Sequence, residues 1–243
     1  MKRLLSLTKR NLLEILRDPL AAVFCIAFPV VMLAFMQALF SGMEFVPENF
    51  QIENYAMGIC VFGYAFTGMF LAMNVAADKS SSFLKRILIS PVKKTTYLLS
   101  FLLSGMLVAV CQTLLFFAIA LLFKLPFDGR LLLAIAYMVP SSLFYLSFGI
   151  LLGSLAKNEK QAGPINSVVI SLTGILGGTF MPLSVFSGGM KTFVELLPFS
   201  HSVQIAAELY TVGAGCIFPH VFYLLGYVVA LWGIIALTEK PKK

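Results

Sequence analysis

The sequence predicts an all-α polytopic membrane protein with six transmembrane helices, an N-terminal amphipathic interfacial helix and a short cytoplasmic helix. Three observations predict it. First, six apolar stretches run Leu20–Phe40, Tyr55–Ala77, Tyr97–Phe123, Leu131–Ala156, Ala162–Phe180 and Cys216–Leu237. Each holds about the ~20 residues that a helix needs to cross ~30 Å of hydrocarbon. Lipid supplies no partners for backbone N–H and C=O groups, so each stretch must be helical. Second, 59% of the residues are hydrophobic and only 12% are charged, outside the range of soluble domains. Third, the basic residues alternate from loop to loop.

That alternation sets the topology. Fifteen of the basic residues precede the first span, lie between the second and third, follow the fourth, or end the chain. The other loops carry only Lys124, Arg130 and Lys191. Basic loops stay inside, so both termini are expected in the cytoplasm. The net charge of +7 is thus accounted for by topology and anionic lipid, and nucleic acid is not an expected partner. No small-residue cleavage site follows the first apolar stretch, so a cleaved signal peptide is not expected. The cysteines Cys25, Cys60, Cys111 and Cys216 lie in or beside spans without a C-x-x-C pair and read as small apolar packing residues.

The first segment, Lys2–Arg17, divides at 100° per residue. Leu4, Leu5, Thr8, Leu12, Ile15 and Leu16 share one side; Arg10, Asn11, Glu14, Arg17 and Asp18 share the other. Such a helix lies in the membrane interface. Asp18-Pro19 ends it, because a residue before proline avoids helical geometry. Pro29 is expected to kink the first span. The loop 41–54 contains Glu44, Glu48 and Glu53 and no basic residue, as suits an external loop.

The loop from Asp78 to Thr96 is the most distinctive segment outside the spans. Ser80, Ser81 and Ser82 can cap a helix. Phe83 with Ile87, and Leu84 with Leu88, form i,i+4 apolar pairs, and Pro91 stops the run. The product is a short helix with an apolar stripe beside Lys85 and Arg86, needing something to bury it. After the short polar loop Lys157–Gly163 and the fifth span, the segment Met181–Gly215 is too apolar for a free loop. It is too rich in Pro182, Gly188, Gly189, Pro198, Gly213 and Gly215 for one helix. Two short helices, Lys191–Leu197 and Ser202–Tyr210, packed at the outer membrane face fit it best, with His201 between them as a cap or interface residue. Gly149-x-x-x-Gly153, Gly174-x-x-x-Gly178 and the ladder Gly68, Ala72, Ala76 allow close helix approach, chiefly within the chain.

The absences also discriminate. No G-x-x-x-x-G-K-[ST] motif occurs, so the chain does not itself cradle nucleotide phosphates. His201 and His220 have no ligand-spaced partner in sequence, so neither a metal site nor a catalytic residue is expected. No charged residue falls mid-span, where ion-coupled carriers usually need one. The intramembrane polar groups are neutral: Gln37, Thr67, Asn74, Ser104, Gln112, Thr113, Asn166, Ser167, Ser171 and Thr173. Transport by such a chain needs energy from a partner.

At this point the chain resembles the membrane subunits of ABC-2-type ABC exporters. Arg17-Asp18-Pro19 enters the first span, with Pro29 inside it. Phe83-Leu84-Lys85-Arg86-Ile87-Leu88-Ile89-Ser90-Pro91 is similar to the family's L-x-R-L-x-x-S-P segment. Gly177-Gly178-Thr179-Phe180-Met181-Pro182, followed by Leu196-Leu197-Pro198-Phe199-Ser200-His201, resembles its G-x-x-x-P and L-P-x-[ST]-H external region. One departure stands out. Where the family has E-x-x-x-G-T, Asp78 replaces the acidic residue and Ser80-Ser81-Ser82 the glycine and threonine.

The resemblance implies a single domain over 1–243, with an elbow helix (1–18), a coupling helix (78–91) and an external segment (181–215). It implies a permease of the bacterial or archaeal cell membrane, paired with a second membrane subunit (a copy or a paralogue) and with ABC ATPase subunits that bind the ATP. No cofactor of its own is implied. Phe83, Leu84, Lys85, Arg86, Ile87, Leu88 and Pro91 would meet the ATPase, and Arg10, Glu14 and Arg17 would add an elbow contact. Phe180, Pro182, Pro198 and His201 would belong to an external gate. The substrate would be amphiphilic or hydrophobic: a drug, peptide, lipid or glycolipid. The alternative, a polytopic membrane enzyme acting on lipid-linked substrate, would need a cluster of reactive side chains at one membrane face.

Overall fold

The computed structural model describes residues 2–43, 45–46, 50–89, 92–211 and 217–238, with the side chains of Lys85, Leu88, Ala206, Ala207, Leu209, Tyr210, Thr211 and Ile217 outside the described set. Pro91, expected to end the coupling helix, also lies outside it. The elements are α1 (Lys2–Arg17), α2 (Pro19–Ala22), a π-turn (Val23–Ala27), α3 (Phe28–Phe40), α4 (Ile52–Ser80), α5 (Ser82–Ile89) and α6 (Lys94–Leu122). There follow α7 (Gly129–Leu155), α8 (Glu159–Leu176), a 3₁₀ turn (Leu183–Val185), α9 (Gly188–Leu196), α10 (Pro198–Thr211) and α11 (Ile217–Thr238). No strand occurs among the described residues.

Among the described residues, five helices are long and apolar enough to cross a membrane: Pro19–Phe40, Ile52–Ser80, Lys94–Leu122, Gly129–Leu155 and Phe218–Thr238. The stretch expected as the fifth span is α8, only 18 residues long, and it does not meet that standard. It opens on Glu159-Lys160-Gln161 and it ends early. Gly178 sits at φ +86, a left-handed turn that favours glycine, and across it the Phe180 N–H returns to the Gly174 carbonyl at 3.1 Å.

Pro29 is accommodated rather than left to break the first span. It has no N–H for the preceding turn, and its ring crowds the carbonyl four residues back. The helix widens one turn earlier, into the π-turn, where the Phe28 N–H bonds to the Val23 carbonyl. Such π-turns absorb local misfits without ending a helix.

α4 forms the axis of the bundle and is enclosed almost throughout. It crosses α7 with backbone against backbone. A Cβ on Gly149 would collide with the Gly68 carbonyl, one on Gly68 would lie 2.6 Å from the Tyr145 oxygen, and one on Gly153 would lie 2.5 Å from the Ala72 oxygen. The glycine ladder therefore serves intrachain packing, as expected. Above this crossing, an aromatic series joins the first span to α4 and onward. Phe24 and Phe28 pack on Phe66, Phe66 on Phe62, and Phe62 on Phe180 at centroid separations of 5.1–5.6 Å. Buried hydroxyls and an amide cross-link α4 and α6 in the apolar interior. Tyr64 bonds Thr113 at 2.5 Å and Thr67 bonds Gln112 at 3.0 Å.

Candidate functional site

Two ends of α4 gather the side chains singled out in the sequence. At its C-terminal end lie α1 and α5. At the other end, about 42 Å away by helix rise, lie α8's terminus, α9 and α10.

At the first end α1 is turned otherwise than its amphipathicity suggested. Thr8, Asn11 and Ile15 are buried, whereas Leu5 and Leu16 are exposed. The seam between the two sides faces the bundle, with Thr8 and Ile15 from one side and Arg10 and Asn11 from the other, because partners wait there. Asn11 donates its amide to the Ser100 hydroxyl of α6 at 2.9 Å. Arg10 grips Asp78, in the last turns of α4, with both guanidinium nitrogens: Nη1–Oδ2 is 2.6 Å and Nη2–Oδ1 is 2.7 Å. Asp78 is only 5% exposed. A carboxylate so placed is costly unless its lone pairs are filled. The planar guanidinium fills two of them, and the Tyr97 hydroxyl donates to Oδ2 at 3.1 Å. Arg10 also reaches Glu14 at 3.1 Å and lies 4.0 Å over the Phe83 ring of α5. Burial lowers the Arg10 pKa, but the Asp78 hydrogen bonds and charge outweigh it, so the net direction is up. Burial raises Glu14, against the attraction of Arg10.

The next residue, Lys79, turns the other way. Its ammonium donates to the Ser154 and Ala156 carbonyls at the end of α7, at 2.5 and 3.0 Å. A cation there satisfies carbonyls left free at a helix C-terminus. Two adjacent residues of α4 thus fasten the elbow on one side and α7 on the other.

α5 begins where the serines placed it. Ser81 is extended, at φ −87 and ψ 172, and its hydroxyl accepts from the Phe83 N–H at 3.1 Å. The described part of the apolar stripe, Phe83, Leu84 and Ile87, is turned inward. Leu84 is buried in the main core, and Phe83 and Ile87 are half-buried against it. This corrects the expectation that the whole stripe waits for a partner, because α4 and Arg10 already cover part of it. Ser82, Arg86 and Ile89 remain on the open face, with Ile89 87% exposed. On α1, Arg10, Leu13, Glu14 and Arg17, with Asp18, line an open groove of about 520 Å³.

At the second end, the expected helices Lys191–Leu197 and Ser202–Tyr210 appear as α9 and α10, each starting several residues earlier. Glycines at 188 and 189 and Pro198 stand in the opening turns, where they suit a helix start. Thr179 donates to the Gly58 carbonyl of α4 at 3.3 Å, and Phe180 seats on Phe62. Pro182 leads into the 3₁₀ turn. The Ser200 hydroxyl bonds the Val194 and Leu197 carbonyls at 2.8 Å, tying α9 to α10. Of the two roles expected for His201, cap or interface residue, it takes the second. It lies inside α10, bonded to His220 of α11 at 2.7 Å and stacked on Tyr223 at 4.6 Å.

Sequence reasoning missed Asn11, Lys79, Tyr97, Ser100 and the carboxylate partner of His220, which is Glu208 at 3.0 Å. A signal existed for two of them. Asn11 adjoins Arg10 on a helix expected to be amphipathic, and Glu208 is an acidic residue in an otherwise neutral, apolar segment.

Comparison with known proteins matches residues 2–210 to the ABC-2 type transporter family. The chain is 22% identical over 205 residues to ABC transporter G family member 20 of Dictyostelium discoideum, covering 81% of this chain and 28% of that protein. It is 24% identical over 140 residues to the probable multidrug ABC transporter permease YbhR of Escherichia coli strain K12, covering 57% of this chain and 38% of that one. The matched region thus spans well under half the length of either relative.

Proposed function

We propose that this chain, which belongs to the ABC-2 type transporter family, is a membrane transport permease, the permease subunit of an ATP-driven exporter. Its partner would be an ABC ATPase seated on the open face of α5, with Arg17 and Glu14 of the elbow as a second contact. Two membrane subunits, identical or paralogous, would frame the path. The substrate would be amphiphilic or hydrophobic, in keeping with apolar helices and with the multidrug description of the Escherichia coli relative. By the asymmetry of the basic loops, α1 and α5 would face the cytoplasm and α9 and α10 the outside, and the membrane would be that of a bacterial or archaeal cell.

One observation carries the mechanism: Arg10 is bonded to Asp78 and stacked on Phe83 at once. A push on α5 reaches α1 through the Phe83 ring and α4 through Ser81. Asp78 and Lys79 pass it to the elbow and to α7, whose packing on α4 is too close to yield locally. Closure of the ATPase on ATP would therefore move α1, α4 and α7 together. Pull-down of the tagged chain from its own membranes tests the reading. A nucleotide-binding ATPase should co-purify, and should be lost from the double variant Arg86→Glu, Ile89→Asp. Recovery of no ATPase, or equal recovery with the variant, would overturn it.

A further inference from the structure

The α10 end holds a polar chain that the transport reading does not use. His220, in the first turns of α11, is clasped between two residues of α10 lying two turns apart. Its Nε2 meets Glu208 Oε2 at 3.0 Å and its Nδ1 meets His201 Nδ1 at 2.7 Å. Charge fixes the direction of these bonds. A carboxylate only accepts, so His220 Nε2 carries the hydrogen and its Nδ1 offers a lone pair. His201 Nδ1 must then donate. That leaves His201 Nε2 as a lone pair, enclosed and without a hydrogen-bond partner.

We propose that Glu208, His220 and His201 form an acid-released latch that holds α10 against α11. One added proton already does not fit the chain. Whether His201 takes it on Nε2, or His220 takes it on Nδ1 and the shared hydrogen of His201 moves to Nε2, His201 Nε2 becomes a buried N–H without an acceptor. A second proton would set two N–H groups face to face across 2.7 Å.

The surroundings offer no relief. α11 carries Tyr223, flat on the His201 ring, and Tyr227. α7 carries Arg130, Tyr137 and Tyr145, and the near end of α4 carries Glu53 and Tyr55. On α9, Lys191 and Glu195 face each other at 3.8 Å, and Glu159 and Lys160 of α8 stand at its far end. Of all these elements' groups, His220 alone bears on the charge of His201. Burial, then His220, pushes His201 down to about 4.

The sign follows. A released His201 titrates near its ordinary ~6.5. Between that value and about 4 the released form binds the extra proton, so release gains as pH falls. From pH 8 to pH 5 the opening constant of α10 should rise about 30-fold.

Hydrogen exchange of the full chain in neutral phospholipid nanodiscs tests this without any partner or substrate. Exchange over residues 202–208, corrected for intrinsic rate, should show the ~30-fold rise in opening. His201→Gln, which bonds but does not titrate, should abolish the pH dependence. His220→Phe should open α10 already at pH 8, and Glu208→Gln serves the same purpose should that variant not fold. pH-independent opening in the wild type, or His201→Gln tracking the wild type, would overturn the latch.

Discussion

Arg10 and Asp78, separated by most of two helices in sequence, meet in a two-point ion pair at 2.6 and 2.7 Å. The carboxylate is enclosed and the guanidinium half-covered, so neither can fall back fully on water. Removing one partner of such a pair costs about 3 kcal/mol or more, because the other charge stays buried. Arg10→Ala and Asp78→Ala should each lower the thermal stability of the detergent-solubilised protein on that scale. Their double variant should recover part of the loss, and a cycle that shows strict additivity would deny the pair any coupling. Arg10→Lys should not rescue, since an ammonium cannot match both oxygens.

The two sides of α5 should separate in mutation. Leu84 is a core residue, so Leu84→Asp buries an unpaired carboxylate at a cost of about 2 kcal/mol or more and should reduce the yield of folded protein. Arg86→Glu and Ile89→Asp change only the open face and should leave folding intact while weakening capture of the ATPase. Size-exclusion profiles and co-purification read the two effects independently.

What the sequence made legible, and what it did not, follows from the range of the interactions. Helix positions came from hydropathy, capping chemistry pointed to the run Ser80, Ser81 and Ser82, and small-residue spacing marked Gly68 and Gly149 for close approach without saying what each meets; all of these are local patterns. The inward roll of α5 was hidden, because i,i+4 pairing of Phe83 with Ile87 defines a stripe but not what covers it. Asn11 meets Ser100 and His201 meets His220 only through the tertiary fold. The shortness of α8 was partly visible in Gly177-Gly178, which an apolar count reads straight across.

The α4–α7 crossing tolerates no side chain at its closest point. Gly149→Leu would drive its Cβ into the Gly68 carbonyl, a backbone atom that cannot swing aside. Overpacking of this kind costs about 1–3 kcal/mol or more. Gly226→Leu on α11, where a Cβ meets open space, is the matched control and should be tolerated. A thermal-stability assay in detergent should show a large loss for the first and little change for the second.

Topology is open to direct labelling. In a variant lacking the native cysteines, a thiol placed at Lys191 should react with a membrane-impermeant maleimide in intact cells. One placed at Arg86 should react only after permeabilisation. Both side chains are exposed, so access depends on the membrane and not on burial. The reverse pattern would invert the orientation that the basic loops specify.

The segment linking α8 to α9 should be held onto the bundle chiefly through Gly58. A Cβ at that position would stand 3.0 Å from the Thr179 side chain and 3.2 Å from its Cα. The side chain can rotate, but the Cα cannot retreat without carrying Gly178 and Phe180 with it. Gly178 is fixed by its left-handed turn, and Phe180 is seated on Phe62 at 5.1 Å. Gly58→Val should therefore prise this segment off α4 at a cost of about 1–3 kcal/mol, while α4 keeps its contacts with α7 further along. Hydrogen exchange should rise over residues 177–187 and stay unchanged over the α4–α7 crossing. Equal protection of the segment in variant and wild type would mean that Thr179 and Phe180 are not what anchors it, and a gate resting on that anchor would fall.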